Sequence, residues 1–202
     1  MPMWFRNSNK FKMFTKKFLF LLLFPSLIFA QDKRLSTDFD GDNIPDKLYL
    51  DSKIGAVVYE LSSQKFKKVV SNGFEDVGEI FFDKKKNGFR VSLNQMRASY
   101  AYQFRYEKET GKMRLIGMER YEFGPANNDG SGESSVNLLT NTYIGEWNYF
   151  DNERVKLVKI PTIKKKIVFP KTYFDTLKNE FSTYMEKDSN YYLAERKRLY
   201  KD

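Results

Sequence analysis

Cysteine and histidine are both absent from the chain of 202 residues. Without cysteine there can be no disulfide, no thiolate metal site and no cysteine nucleophile. Without histidine there can be no Ser-His-Asp triad and no haem held by a histidine ligand. Carboxylates and the side chains of Lys, Tyr, Ser and Thr are therefore the groups left for chemistry.

Basic residues outnumber acidic ones and give a formal net charge of +9, but the excess is concentrated at the start of the chain. The first seventeen residues contain five basic residues and no acidic one, and the apolar run Phe18–Ala30 follows. As a helix this run would be about 20 Å long, which is short of the roughly 30 Å hydrocarbon core of a bilayer. The pattern predicts a signal peptide over residues 1–30, and an uncleaved membrane anchor is the alternative.

Residues 31–202 carry a net charge of only +4 once this segment is set apart. That balance is ordinary for a mixed surface and does not favour nucleic-acid binding. We therefore expect an exported protein, periplasmic or secreted, with no transmembrane span in the mature chain.

The fold class follows from the spacing of apolar runs and turn residues. Between residue 47 and about residue 159, short strand-like runs alternate with turn signals at intervals of roughly ten residues. This predicts a mainly β fold, an antiparallel meander of hairpins arranged as a sandwich or an irregular propeller-like structure. The predicted organisation is a β domain over residues 31–160, with a disordered lead-in at 31–37, followed by a linker and a C-terminal helix over 161–202.

The clearest periodicity lies in the middle of the chain. Alternate residues from Tyr100 to Tyr106 are aromatic, which predicts a strand with one core face. The next strand, Lys112–Phe123, is expected to place one set of residues on the core face (Met113, Leu115, Tyr121 and Phe123) and another on the opposite face (Lys112, Arg114, Arg120 and Glu122). Tyr102, Phe104, Met113 and Leu115 should be buried together across this hairpin.

The C-terminal segment has a helical pattern. Apolar residues recur on one helical face after Pro170 (Phe174, Leu177, Phe181 and Tyr184). The run Lys164–Lys166 before it is interpreted as a solvated charge run. We expect the helix to be an appendage that packs on the sheet or projects from it.

One motif carries chemistry. Asp38, Asp40, Asp42 and Asp46 occupy positions 1, 3, 5 and 9 of a short loop, and the backbone carbonyl of Ile44 would fill position 7. Carboxylate and carbonyl oxygens in a flexible loop suit calcium, which takes six to eight oxygen ligands. The sequence predicts one structural calcium ion, and a solvated acidic turn is the alternative.

The acidic loop, Asp38-Phe-Asp-Gly-Asp-Asn-Ile-Pro-Asp46 followed by Lys-Leu-Tyr-Leu, resembles the calcium loop of FG-GAP/VCBS-type repeats. With the strands that follow it, to about residue 150, the chain is similar to a secreted bacterial family in which one such loop opens an all-β domain. Some members of that group are similar to periplasmic inhibitors of I-type lysozyme or act as immunity proteins against peptidoglycan hydrolases. The resemblance implies inhibition through a Ser-Gly-x-x-Tyr-like loop, of which Ser131-Gly132 is present here without the Tyr.

The leading functional hypothesis is a non-enzymatic, calcium-stabilised domain that binds a cell-wall hydrolase or another periplasmic protein. The predicted contact surface is the Gly124–Glu133 loop and its flank, with Arg120, Tyr121, Asn128, Asp129, Ser131, Gly132 and Glu133. A glycan- or cell-wall-binding module is the alternative, with stacking by Tyr100, Tyr102, Trp147 and Tyr149. A glycan hydrolase is the third hypothesis, using two of Glu119, Glu122, Glu133 and Glu146.

Overall fold

A computed structural model describes residues 33–74 and 79–199. The predicted signal peptide, residues 1–30, lies outside the described residues. The described part of the chain contains no helix that is both long enough and apolar enough to cross a membrane.

Over the described residues the fold is mainly β with a C-terminal α-helix, as the sequence predicts, and its strands form two antiparallel sheets. The strands are β1 (Arg34–Thr37), β2 (Asp46–Asp51), β3 (Ala56–Leu61), β4 (Lys67–Val70), β5 (Glu79–Lys85), β6 (Gly88–Asn94), β7 (Ala98–Glu107), β8 (Lys112–Glu122), β9 (Gly132–Asn137), β10 (Thr142–Asp151), β11 (Lys156–Lys159) and β12 (Ile163–Lys166). The helix, α1, spans Glu180–Leu199, and short 3₁₀ turns lie at Ser62–Gln64 and Phe174–Thr176.

Both sheets are built largely from neighbours in sequence. The smaller sheet has the order β1-β2-β3-β4. The larger sheet runs β5 to β11 in sequence order, and β12 also pairs with β10. The predicted meander of hairpins is therefore confirmed.

The core lies where aromatic rings from the two sheets meet. Phe39 and Tyr59 of the smaller-sheet region contact Phe89 of β6, with ring centroids 5.2 and 6.1 Å apart. Phe174, from the 3₁₀ turn before α1, contacts Tyr59, Phe89 and Phe104. Burying aromatic rings in edge-to-face pairs stabilises this core beyond the area that it removes from water.

The predicted core of the β7–β8 hairpin is confirmed. Tyr102, Phe104, Met113 and Leu115 are all buried, and Phe104 pairs directly with Leu115 across the two strands. Aromatic residues in alternate positions of β7 thus face the interior, as their period of two predicts.

The predicted faces of β8 are wrong beyond Leu115. The register between β7 and β8 shifts at Gln103/Phe104, which leaves Ile116 as an extra residue in β8. An extra residue in one strand reverses the faces of every residue after it. Arg120 therefore points toward α1 on the inner face, while Tyr121 and Phe123 are exposed on the outer side.

Two short strands were missed by the sequence interpretation. The expected lead-in at 31–37 is wrong for Arg34–Thr37, which pairs with β2 as an edge strand. The lysine run Lys164–Lys166 is exposed, as expected, but it also belongs to β12, which pairs with β10. Lysines on an edge strand discourage pairing with other chains.

The helix packs on the larger sheet. Phe181 of α1 contacts Tyr100 and Tyr102 of β7, with centroids 5.1 and 5.0 Å apart, and Tyr184 is fully buried. The helical pattern predicted from Phe174 onward is divided in the structure, because Phe174 lies in a 3₁₀ turn and α1 begins at Glu180.

Candidate functional site

The acidic loop between β1 and β2 brings three carboxylates together. Asp38, Asp40 and Asp42 each offer one oxygen, and these oxygens lie within 4.8 Å of one another. Gly41 and Asn43 adopt left-handed backbone conformations, with φ of 89° and 68°, which lets the loop fold back on itself.

The loop's own backbone supports these carboxylates. The N–H groups of Gly41 and Asn43 donate to the two oxygens of Asp38, at 2.7 and 3.0 Å. The N–H of Ile44 donates to Asp42 at 2.8 Å. These bonds fix the side chains on one side of the loop, so little ordering remains to be done when a ligand binds.

The pKa values of Asp38 and Asp40 are shifted in opposite directions. The pKa of Asp38 is lowered, chiefly by the N–H of Gly41. The pKa of Asp40 is raised because partial burial disfavours its charge, and the nearby carboxylates of Asp46 and Asp42 add to this shift. A bound cation would relieve this unfavourable crowding.

Two serines that the sequence analysis did not single out, Ser62 and Ser63, also belong to this site. Ser62 Oγ donates to Asp42 at 2.6 Å, and Ser63 Oγ donates to Asp40. Both lie in the 3₁₀ turn after β3, about twenty residues away in sequence. Nothing in the sequence around Ser62 and Ser63 indicates this contact, because it depends on the pairing of β2 with β3.

The fourth predicted ligand, Asp46, lies outside the group of three carboxylates. It is fully buried, and its two oxygens accept the N–H groups of Phe39 and Ser62, each at 2.7 Å. Asp46 thereby fastens the loop to the end of β3. Ile44 has an exposed side chain, and a role for its carbonyl in binding metal stays a prediction.

The donor set of the loop fits a hard cation. It contains carboxylate oxygens and no nitrogen or sulfur ligand, a combination that suits calcium or magnesium. Asp38, Asp40 and Asp42 are the residues that would hold the ion, and Asp46 would hold the loop in place beneath it.

The second predicted site, the loop after β8, is fastened to its neighbours. Arg97 Nε donates to the carbonyl of Gly124 at 2.7 Å. Asp129 accepts the N–H of Phe150 at 2.7 Å, and the N–H of Asn148 donates to the carbonyl of Ser131 at 2.8 Å. The loop therefore has a defined shape, although much of it is exposed.

The predicted contact residues fall into two groups. Tyr121, Asn128 and Glu133 are exposed and available to a partner. Asp129 and Ser131 are half-buried and already hydrogen-bonded to β10, and Gly132 is packed against the backbone of β10 at the start of β9. The Ser131-Gly132 pair consequently does not form the tip of a protruding loop.

The sequence predicts that Arg120 lies in the contact surface for a partner. In the structure, Arg120 belongs instead to a largely buried network of ion pairs and hydrogen bonds. It donates to Asp188 of α1 at 2.8 Å and to Glu122 at 3.0 Å, and it lies over the ring of Trp147. Asp188 is fully buried and also accepts a hydrogen bond from Tyr143. Arg120 thus fixes α1 on the sheet.

The side chains proposed for glycan stacking are largely in the core. Tyr102, Trp147 and Tyr149 are buried, and Tyr100 is half-buried against Phe181. Their rings do not offer open faces to a sugar. The exposed aromatic residues nearby are Tyr121 and Phe123, whose rings are 4.9 Å apart in an edge-to-face pair.

Three of the four glutamates considered for hydrolysis line one cleft. Glu119, Glu133 and Glu146 lie on the outer face of β8, β9 and β10, in a cleft of about 370 Å³. Glu122 lies on the inner face beside Arg120. Hydrogen bonding from Lys159 lowers the pKa of Glu146.

Comparison of the chain with protein-family models, with curated proteins and with solved structures finds no match. The resemblance to single-loop FG-GAP/VCBS-like proteins therefore stays a prediction that rests on the acidic loop.

Proposed function

We propose that this chain is a non-enzymatic, exported β domain that is stabilised by one calcium ion and binds a macromolecular partner, such as a cell-wall hydrolase. The observation that carries the proposal is the group formed by Asp38, Asp40 and Asp42, whose oxygens lie within 4.8 Å of one another. Such a set has the hard oxygen donors that calcium prefers.

The ion would act on the fold through the buried carboxylate beneath the loop. Asp46 is the first residue of β2 and is bonded to Ser62 at the end of β3. Calcium held by the three outer carboxylates would remove their mutual repulsion and so steady the entry into β2. We infer a structural role for the ion, because the loop's own N–H groups and two serine hydroxyls hold these carboxylates in place.

The partner surface that we propose is centred on Tyr121 and Phe123, next to the loop over residues 124–131. Aromatic residues are enriched among the residues that contribute most to binding between proteins. The neighbouring loop is held by Arg97 and by β10, so the surface would need little ordering on binding.

A glycan hydrolase is the second candidate because Glu119, Glu133 and Glu146 line one cleft. A hydrolase of this type needs one carboxyl group with a raised pKa to act as the general acid. The pKa of Glu146 is lowered instead, and Glu119 is paired with Arg90 at 2.6 Å. These pairings support binding over catalysis.

The test is an inhibition assay with purified protein in calcium buffer. I-type lysozyme and other peptidoglycan hydrolases are added to a cell-wall suspension, and its loss of turbidity is followed. We expect the protein to inhibit at least one of these enzymes. When it is added alone, we expect the turbidity of the suspension to stay unchanged. Clearing by the protein alone would establish the hydrolase instead, and inhibition of none of the enzymes would contradict the hydrolase-partner proposal.

Variants locate the surface in the same assay. Tyr121→Ser and Phe123→Ser should weaken inhibition while leaving the melting temperature nearly unchanged, because both side chains are exposed. Leu139→Ser is the matched control, since Leu139 is an exposed apolar residue of the β9–β10 turn. Equal inhibition by all three variants would place the partner elsewhere.

A further inference from the structure

The outer face of the larger sheet, opposite α1, contains a cleft that is open to solvent. Its floor is made of small residues on β7 and β9, Ser99, Ala101 and Ser135. Longer side chains on β6, β8 and β10 surround this floor, and the cleft encloses about 370 Å³. That volume is enough for a long side chain together with part of the segment that carries it.

One row of residues across this cleft is electrostatically unfavourable. Tyr121, Glu133 and Glu146 are direct neighbours on β8, β9 and β10. Like charges directly opposite each other on paired antiparallel strands destabilise a sheet. The pairing of Glu133 with Glu146 therefore costs stability that the fold must supply from other contacts.

The cations near the cleft leave one of its carboxylates without a partner. Lys159 pairs with Glu146 at 2.8 Å, and Arg90 pairs with Glu119 at 2.6 Å and with Asp83 at 3.3 Å. Among residues 33–74 and 79–199, no side chain forms an ion pair or hydrogen bond with Glu133. The cleft thus presents one open negative charge beside an aromatic ring.

We propose that this cleft receives a lysine or arginine side chain from the protein partner, with the cationic group at Glu133. This inference rests on the proposed partner-binding function and names the chemistry that the partner must present. Tyr121 and the partly exposed Ile144 would contact the apolar stem of the incoming side chain. The ring of Tyr121 adds a cation–π contribution.

A protein occupant is favoured by the aromatic rim beside the cleft. Tyr121 takes part both in the cleft and in the edge-to-face pair with Phe123. A cationic side chain at Glu133 would place the rest of its own chain against this pair, where aromatic contacts are typical of protein interfaces.

The test is a titration of isotope-labelled protein with three blocked tripeptides, followed by amide NMR. The peptides are acetyl-Gly-Lys-Gly-amide, acetyl-Gly-Arg-Gly-amide and, as the uncharged control, acetyl-Gly-norleucine-Gly-amide. We expect the Lys and Arg peptides at millimolar concentration to shift the amides of Tyr121, Glu133 and Glu146. Norleucine should cause no comparable shifts.

Glu133→Gln provides the matched variant, and Glu109→Gln, in the exposed β7–β8 turn, is its control. Glu133→Gln should weaken binding of the Lys peptide by about fivefold, the upper range for a solvent-exposed ion pair, while Glu109→Gln should not. Glu133→Gln should also raise the melting temperature slightly, because it removes the repulsion of Glu146. A lower melting temperature would contradict the argument from like charges.

The remaining outcomes separate this inference from the proposed function. Equal shifts with norleucine, or none with any peptide, would overturn the cationic occupant even if the protein inhibits a hydrolase. A glucosamine oligomer that shifts the same amides at lower concentration than the Lys peptide would replace the protein occupant by an amino sugar. Peptide binding without inhibition of any hydrolase would support the cleft as a site for a cationic side chain and would contradict a hydrolase as the partner.

Discussion

The acidic loop and the glutamate cleft each bring three carboxylates together, but different groups surround those carboxylates. The loop's carboxylates accept bonds mainly from backbone N–H groups and serine hydroxyls. Two of the three carboxylates of the cleft, Glu119 and Glu146, are paired with cationic side chains instead.

This difference indicates which ligand each region suits. Within the described part of the chain, no cationic side chain pairs with Asp38, Asp40 or Asp42, so a small metal ion can approach several of these carboxylates at once. In the cleft, Arg90 and Lys159 already neutralise two of the three glutamates, which leaves a single charge at Glu133. One charge beside an aromatic ring suits an organic cation better than a divalent ion.

The largest effect that we predict comes from the buried carboxylate of α1, Asp188. Asp188→Ala removes one of the two carboxylates that pair with Arg120, together with the acceptor of Tyr143. Breaking a buried ion pair from one side costs about 3–5 kcal/mol of unfolding free energy, and we expect the lower end of that range because Glu122 remains. Chemical denaturation measures the loss. Glu186→Ala, on the exposed side of α1, is the control and should change stability by less than about 0.5 kcal/mol. Equal stability of the two variants would show that Arg120 does not fix the helix.

A somewhat smaller effect is expected from the buried carboxylate of the loop. Asp46→Ala leaves the N–H groups of Phe39 and Ser62 without their acceptor. Only the bond from Phe39 is fully buried, so we expect a loss of about 1–3 kcal/mol, the cost of one buried donor left unpaired. Asp46→Asn retains one oxygen acceptor and should lose less. The loss should persist when calcium is removed by a chelator, because these hydrogen bonds do not involve the ion. A loss seen only in calcium would instead make Asp46 a metal ligand.

A pH-dependent effect is expected at Glu107, which joins β7 to the segment before α1. Lys171 lies 2.6 Å from its carboxylate and Tyr173 donates to it at 2.7 Å, and these bonds lower the pKa of Glu107 to about 2. The folded state therefore favours the ionised form, so this stabilisation is complete above the ordinary pKa near 4.5 and is lost as the pH falls toward 2. Chemical denaturation at several pH values should show that, between about pH 4.5 and pH 2, the unfolding free energy falls more steeply in the native protein than in Glu107→Gln. Parallel curves would contradict this assignment.

Local sequence patterns predicted the parts of the fold that depend on near neighbours. The alternation from Tyr100 to Tyr106 identified a strand and its buried face, and the acidic spacing identified the loop. Neither pattern depends on which strands pair with each other.

The failures arise where strand pairing decides the outcome. The extra residue at Ile116 is visible only in the register of β7 with β8, and it places Arg120 inside and Tyr121 outside. The contacts of Ser62 with Asp42 and of Glu133 with Glu146 likewise depend on pairings between strands. A sequence read one segment at a time does not contain that information.

The most direct test of the account is thermal melting of the protein in calcium, in magnesium and in chelator. With free calcium about a hundredfold above its dissociation constant, binding to the folded state adds about 2.7 kcal/mol, so the melting temperature should rise. Magnesium should do less, because it demands a stricter octahedral geometry. Asp40→Ala should abolish the calcium effect, while the control Glu109→Gln should retain it. Identical melting curves in calcium and in chelator would contradict the account and leave the loop an ordinary acidic turn.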